Sequence, residues 1–120
     1  MTVSTHLRDL SPAAIQKMLR ERSIVLIDVR EPQEHVAERV DGALLFPLST
    51  FDPSAVPSPE GREVVFHCGS GKRSAMAVAQ CLKRGFIHTA HMAGGIQAWK
   101  AARLPTMTPG SASGSVVDRR

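Results

Sequence analysis

Four consecutive apolar residues, Ile24-Val25-Leu26-Ile27, stand in this chain with nothing polar between them. A strand that buries one face alternates apolar with polar residues. A short unbroken run bounded by turn signals is instead buried on both faces, as in a parallel sheet sandwiched between helices. The flanking segments read as those helices. In Leu10-Ser11-Pro12-Ala13-Ala14-Ile15, Ser11 caps the free amides, Pro12 takes the first helical position and Leu10 staples against Ile15. Ile15, Met18 and Leu19 share a face, and the helix region ends at Ser23. After the apolar run, Asp28-Val29-Arg30-Glu31-Pro32 closes the strand and opens a short helix to about Glu38.

The alternation continues. Ala43-Leu44-Leu45-Phe46 is a second strand, stopped by Pro47, and Phe51 to Arg62 is a loop punctuated by Pro53, Pro57, Pro59 and Gly61. Glu63-Val64-Val65-Phe66-His67 is a third strand running directly into Cys68-Gly69-Ser70-Gly71. Ala75, Val78, Ala79 and Leu82 share one face of a helix predicted over Ser74 to Arg84, with Gly85 as its stop. Thr89-Ala90-His91-Met92 is a last strand, turned by Gly94-Gly95 into a helix carrying Ile96 and Trp99. Strands alternating with helices define an α/β fold with a mainly parallel sheet. Such sheets hold ligands beyond the carboxyl ends of their strands, where Cys68 falls. The stretch from Thr106 to Arg120 is rich in Gly, Ser and Pro and reads as a disordered tail.

Composition narrows the function. A chain of 120 residues with 42% hydrophobic residues builds one domain with a core. No run approaches the ~20 apolar residues of a membrane helix. Met1 to Asp9 has no signal-like apolar stretch, so the expected location is cytoplasmic. Lys and Arg outnumber Asp and Glu by 15 to 11, but the basic residues are scattered and aromatic residues are 4%, against nucleic-acid binding. A small anionic substrate fits better, because Lys72 and Arg73 cluster beside Cys68. Two cysteines make no disulfide framework, and Cys81 reads as a packed helix thiol.

The chemistry is concentrated in His67-Cys68-Gly69-Ser70-Gly71-Lys72-Arg73-Ser74. A thiol is a weak nucleophile until it ionises, and a helix N-terminus with nearby cations favours ionisation. Gly69 and Gly71 let the backbone curl so that amides turn inward to Cys68, and the following helix adds its positive end. Such a cradle stabilises a thiolate, a persulfide anion or a bound oxyanion. Other chemistries fit poorly. A Walker loop requires Gly at the position of Phe66. A cysteine phosphatase requires five residues between cysteine and arginine, whereas four separate Cys68 from Arg73 and position 74 is Ser. A zinc site from His67, Cys68, His88 and His91 lacks a paired-cysteine motif, and the last two histidines would face opposite sides. A papain-like protease needs a larger chain.

Four segments in this order and spacing resemble the rhodanese domain over about residues 6 to 105. They are Leu26-Ile27-Asp28-Val29-Arg30-Glu31 with Glu34, Asp41-Gly42-Ala43, the Cys68-to-Ser74 loop, and Gly94-Gly95-Ile96-Gln97-Ala98-Trp99. The resemblance implies a five-stranded, mainly parallel sheet flanked by helices. It makes Cys68 the nucleophile opening a six-residue loop, the length that goes with sulfur handling. Arg30 would stand near the site entrance, either holding an anion or in an ion-pair network with Glu31 or Glu34. Glu38-Arg39-Val40 departs from the family's usual Gly-His-Ile stretch, which puts a rim loop in doubt. Gly69-Ser70-Gly71 looks like mercaptopyruvate users and Lys72-Arg73 like thiosulfate users, so the donor stays open.

The expected activity is sulfur transfer from a small anionic donor such as thiosulfate, through a Cys68 persulfide, to cyanide or to a thiol or protein acceptor. Gly69, Ser70, Gly71, Lys72, Arg73, Ser74 and Arg30 are the expected substrate-binding residues. Lys72 and Arg73 would hold donor oxygens, Ser74 would cap the helix or bond the persulfide, and His67 would pack away from the thiol. No metal or cofactor is called for. A sulfur-relay or binding module with little turnover is the rival reading. A cysteine phosphatase or arsenate reductase is a third.

Overall fold

The computed structural model describes residues 7–110. Its elements are β1 (Arg8–Leu10), α1 (Pro12–Arg20), β2 (Ile24–Asp28), α2 (Pro32–Ala37), β3 (Leu44–Leu45), β4 (Glu63–His67), α3 (Lys72–Lys83), β5 (Ala90–Met92) and α4 (Gly95–Ala101). The strands form one five-stranded sheet in the order β1-β5-β4-β2-β3, parallel at every pairing. The α/β architecture with a parallel sheet flanked by helices is therefore as expected.

The unbroken apolar strands explain why the sheet is covered twice. All five residues of β2 are buried. Val25, Ile27, Val64, Phe66 and Cys68 pack with Ala77, Val78 and Cys81 of α3 on one face. Ile24, Leu26, Val65, Ala90 and Met92 pack with Ile15 of α1 and with Ile96 and Trp99 of α4 on the other. The helix start at Ser11 takes the expected form, with its hydroxyl accepting from the amide of Ala14 at 3.1 Å.

Three boundaries differ from the expectation. Arg8–Leu10 forms an edge strand that its polar sequence does not announce; it is held by pairing with β5 and by an ion pair between Arg8 and Glu63. The third helix begins at Lys72 rather than Ser74, because Gly71 adopts φ +106° and serves as its N-cap. Thr106 and Met107, expected in the tail, are tied to the domain. The Thr106 hydroxyl bonds Glu38, and Arg39 and Met107 exchange backbone hydrogen bonds at 2.9 and 2.7 Å. That contact uses Glu38-Arg39, the stretch that departs from the usual family pattern. The rest of the expected tail from residue 111 onward, and residues 1–6, lie outside the described residues.

Candidate active site

Cys68 leaves β4 at the carboxyl edge of the sheet and is fully buried. The backbone then turns so that amides face its sulfur: the N–H of Gly71 donates to Sγ at 3.1 Å and that of Ser74 at 3.3 Å. The Ser74 hydroxyl lies 3.6 Å from Sγ. Burial by itself would push the Cys68 thiol up. The Ser74 hydroxyl and amide, with the amides of Gly71 and Ser70, outweigh it and hold the thiol below the ordinary range. Cys81 lacks such donors, and burial pushes it up to about 11. The two cysteines are thus electrostatically distinct: the thiol of Cys68 is drawn down by its hydrogen-bond donors and that of Cys81 is pushed up by burial.

The loop holds this shape because α4 grips its outer side. Ile96 N–H donates to the carbonyl of Cys68 at 2.8 Å and Gln97 N–H to that of Gly69 at 3.1 Å. Carbonyls drawn outward leave the neighbouring amides free to turn inward. The grip requires contact between backbones. A Cβ on Gly95 would stand 2.5 Å from the Cys68 carbonyl oxygen and 2.6 Å from the carbonyl of Gly69. Gly95 is therefore a site residue that a reading centred on the cysteine loop does not reach. Its signal in the sequence is the Gly94-Gly95 pair immediately after the last strand.

The cations fall differently from the expectation. Lys72 is exposed in the first turn of α3 and forms no ion pair among the described residues. Arg73 is committed: its two terminal nitrogens bond the two carboxylate oxygens of Glu34 at 2.6 and 3.0 Å. Glu34 is fixed in turn by the Glu31 amide, 2.9 Å from one oxygen, so the pair ties the start of α3 to the start of α2. The Arg73 hydrogen bond draws the Glu34 carboxyl below the usual carboxylate range. Ser70 lies exposed at the rim, Gly69 is half-buried and Ser74 is buried.

Arg30 is not placed to receive an anion. It is buried; Nε and Nη2 bond the Asp28 carboxylate at 3.0 and 2.9 Å, and Nη2 also donates to the Glu38 carbonyl at 2.6 Å. Its ion-pair partner is Asp28, in place of Glu31 or Glu34. Asp28 further meets His35 at 2.9 Å. Burial pushes the Asp28 carboxyl up, and Arg30, His67 and His35 together bring it below its ordinary value. His67 turns to the opposite face of the sheet from Cys68, as the alternation of β4 requires, and burial pushes its imidazole down.

Sequence and structure comparisons agree on the family and the fold. A model of the rhodanese-like domain matches residues 11–102. An uncharacterised Synechocystis protein is 37% identical over 108 residues, 90% of this chain and 60% of its own length. The chain thus spans less than two thirds of that relative. A protein of Allochromatium vinosum named sulfurtransferase is 30% identical over 99 residues, covering 82% of this chain and 92% of that protein. The solution structure of the rhodanese-like domain of an Anabaena protein superposes with a TM-score of 0.74 at 20% identity, covering 93% of this chain and 87% of that one.

Proposed function

Because the chain belongs to the rhodanese-like domain family, we propose that it is a sulfurtransferase that carries sulfur on Cys68 as a persulfide. One observation supports this most directly: the buried sulfur receives two backbone N–H groups from a loop with only four residues between Cys68 and Arg73. The thiolate attacks the outer sulfur of an anionic donor such as thiosulfate. The donor's S–S bond breaks and sulfite departs with the electron pair, leaving Cys68 as a persulfide anion in the ring of amides. An acceptor nucleophile (cyanide in an assay, a thiol or a protein thiol in the cell) takes the outer sulfur and returns the thiolate. Gly69, Ser70, Gly71 and Ser74 shape the ring that holds the anion. Lys72, exposed in the first turn of α3 and without an ion pair among the described residues, supplies a positive charge that attracts the donor. Arg73, shared with Glu34, braces the loop and adds a weaker attraction.

The intact mass of the protein is the decisive measurement. Thiosulfate should add one sulfur atom at Cys68, and cyanide should remove it with release of thiocyanate. Persistence of thiocyanate production in Cys68→Ser, or mapping of the added sulfur to Cys81, refutes the assignment. A persulfide that forms but turns over negligibly with cyanide would instead favour a sulfur-relay module.

A further inference from the structure

Behind the nucleophile runs a line of hydrogen bonds that sulfur transfer as described above does not use. The Ser74 hydroxyl, 3.6 Å from Cys68 Sγ, lies 2.7 Å from Nδ1 of His91. Nε2 of the same ring lies 2.8 Å from the Asp9 carboxylate. His91 is 5% exposed, whereas the Asp9 side chain is 68% exposed, so the line begins at a buried thiol and ends in solvent. Three elements converge to make it. Asp9 of β1 and His91 of β5 are register partners and project to the same face, and the first turn of α3 lowers Ser74 onto the ring.

We propose that Ser74, His91 and Asp9 form a proton relay that ionises Cys68, with His91 as the resting place of the proton. The hydrogen bonds fix its direction. An acidic oxygen at Nε2 makes that nitrogen the N–H donor, so in the neutral ring Nδ1 is an acceptor and the Ser74 hydroxyl donates to it. Ionisation then takes two coupled transfers. The Cys68 S–H bond breaks as its proton passes to Ser74 Oγ, while the original Ser74 proton passes to Nδ1. The products are a thiolate facing the amides of Gly71 and Ser74, an unchanged serine, and an imidazolium against the Asp9 carboxylate. No electrons change hands. Once Nδ1 is protonated the ring no longer holds the hydroxyl hydrogen, which turns toward the new thiolate, with the Gly71 carbonyl, 3.1 Å from Oγ, as its alternative acceptor.

Among the described residues, the titratable groups meeting the ring are Asp9 from β1 and, through Ser74 of α3, Cys68. Phe66 of β4 is the register partner of His91 and the backbone of Gly71 lies beside the ring, and neither carries a charge. His91 and Asp9 are positioning residues, acting on the sulfur only through Ser74. The proposal rests on Cys68 being the nucleophile, but it concerns thiol ionisation, which can be read without any sulfur transfer.

The test is alkylation of the full chain by iodoacetamide across the pH range, following the Cys68 peptide by mass. His91→Asn should slow alkylation at neutral pH by about tenfold, one unit in the thiol's ionisation, with the profile displaced to higher pH and the alkaline plateau unchanged. Asp9→Asn should displace it in the same direction by about threefold, because its carboxylate is exposed and screened. In a Ser74→Ala background, His91→Asn should produce no further loss, since the line is already cut. A merely structural role would scale the whole profile and lower the melting temperature without displacing the midpoint. Profiles of His91→Asn and Asp9→Asn that superimpose on the parent overturn the proposal, as does an undiminished His91→Asn effect without Ser74. Should the buried substitution fail to fold, the surface variant Asp9→Asn decides alone. Failure of thiosulfate to load Cys68 with an intact relay profile would refute the proposed activity and leave the relay standing.

Discussion

Replacing Gly95 by alanine should dislodge the cysteine loop from outside. The position has φ +62°, where an L residue costs about 1–2 kcal/mol. Its Cβ would stand 2.5–2.6 Å from the carbonyls of Cys68 and Gly69, and these are backbone atoms that no rotamer change can clear. Relief requires α4 to withdraw, which strains or breaks the bonds from Ile96 and Gln97 to those carbonyls. Each such bond is worth about 0.5–1.5 kcal/mol net. Gly95→Ala should therefore lose about 2–5 kcal/mol in urea denaturation followed by Trp99 fluorescence, a large part of a small domain's stability. Gly42→Ala is the matched control: φ is +88° but nothing lies within 4 Å of the added Cβ, so the loss should be about 1–2 kcal/mol. The functional consequence separates the two further. Freed carbonyls let the loop amides turn from the sulfur, and losing one amide to a thiolate should slow Cys68 alkylation at neutral pH by at least about tenfold. Gly42→Ala should leave that rate unchanged. Equal losses of stability in both variants, with the alkylation rate of Gly95→Ala intact, would show that α4 does not hold the loop.

Asp28→Asn should cost about 3–5 kcal/mol, because it leaves the Arg30 guanidinium buried without its counter-charge; a thermal melt compared with wild type checks it. Stability should also fall as pH drops below the ordinary imidazole value of 6.5. His67 is depressed in the folded protein, so the unfolded chain binds its proton first, and the His67 contribution is complete only above that value. A second loss should follow below pH 3.8, the ordinary carboxyl value above which depressed Asp28 contributes fully. Urea titrations through both ranges test these signs. Lys72→Ala should raise KM for thiosulfate more than it lowers kcat, whereas Glu34→Gln, freeing Arg73, should lower KM. The Glu34–Arg73 pair is more than a third exposed, so the latter change should alter stability by less than about 1 kcal/mol. Aryl phosphates should be hydrolysed negligibly beside thiosulfate at equal concentration, since a phosphoryl group needs a wider ring of donors than this loop forms. Cys68-dependent phosphatase turnover exceeding sulfur transfer would contradict the proposed activity.

Local chemistry determined much of this protein. The unbroken apolar run of β2 dictated a sheet covered on both faces, because no polar residue in it tolerates solvent. Ser11 and Pro12 started α1 through forces acting within one turn. The glycines and the strand before Cys68 marked it as the cysteine held in an amide cradle, since such a cradle is a property of consecutive residues. What depends on distant segments was not legible. Arg8–Leu10 is a strand only because β5 offers it an edge. Arg30 and Arg73 were both expected to bind an anion, yet one is buried against Asp28 and the other spans to Glu34, 39 positions away. His91, weighed from the sequence only as a metal ligand, meets Ser74 and Asp9 because β1 and α3 are brought to opposite sides of its ring. A charge or an imidazole acts through whatever stands within a few ångströms of it, and tertiary packing alone supplies those neighbours.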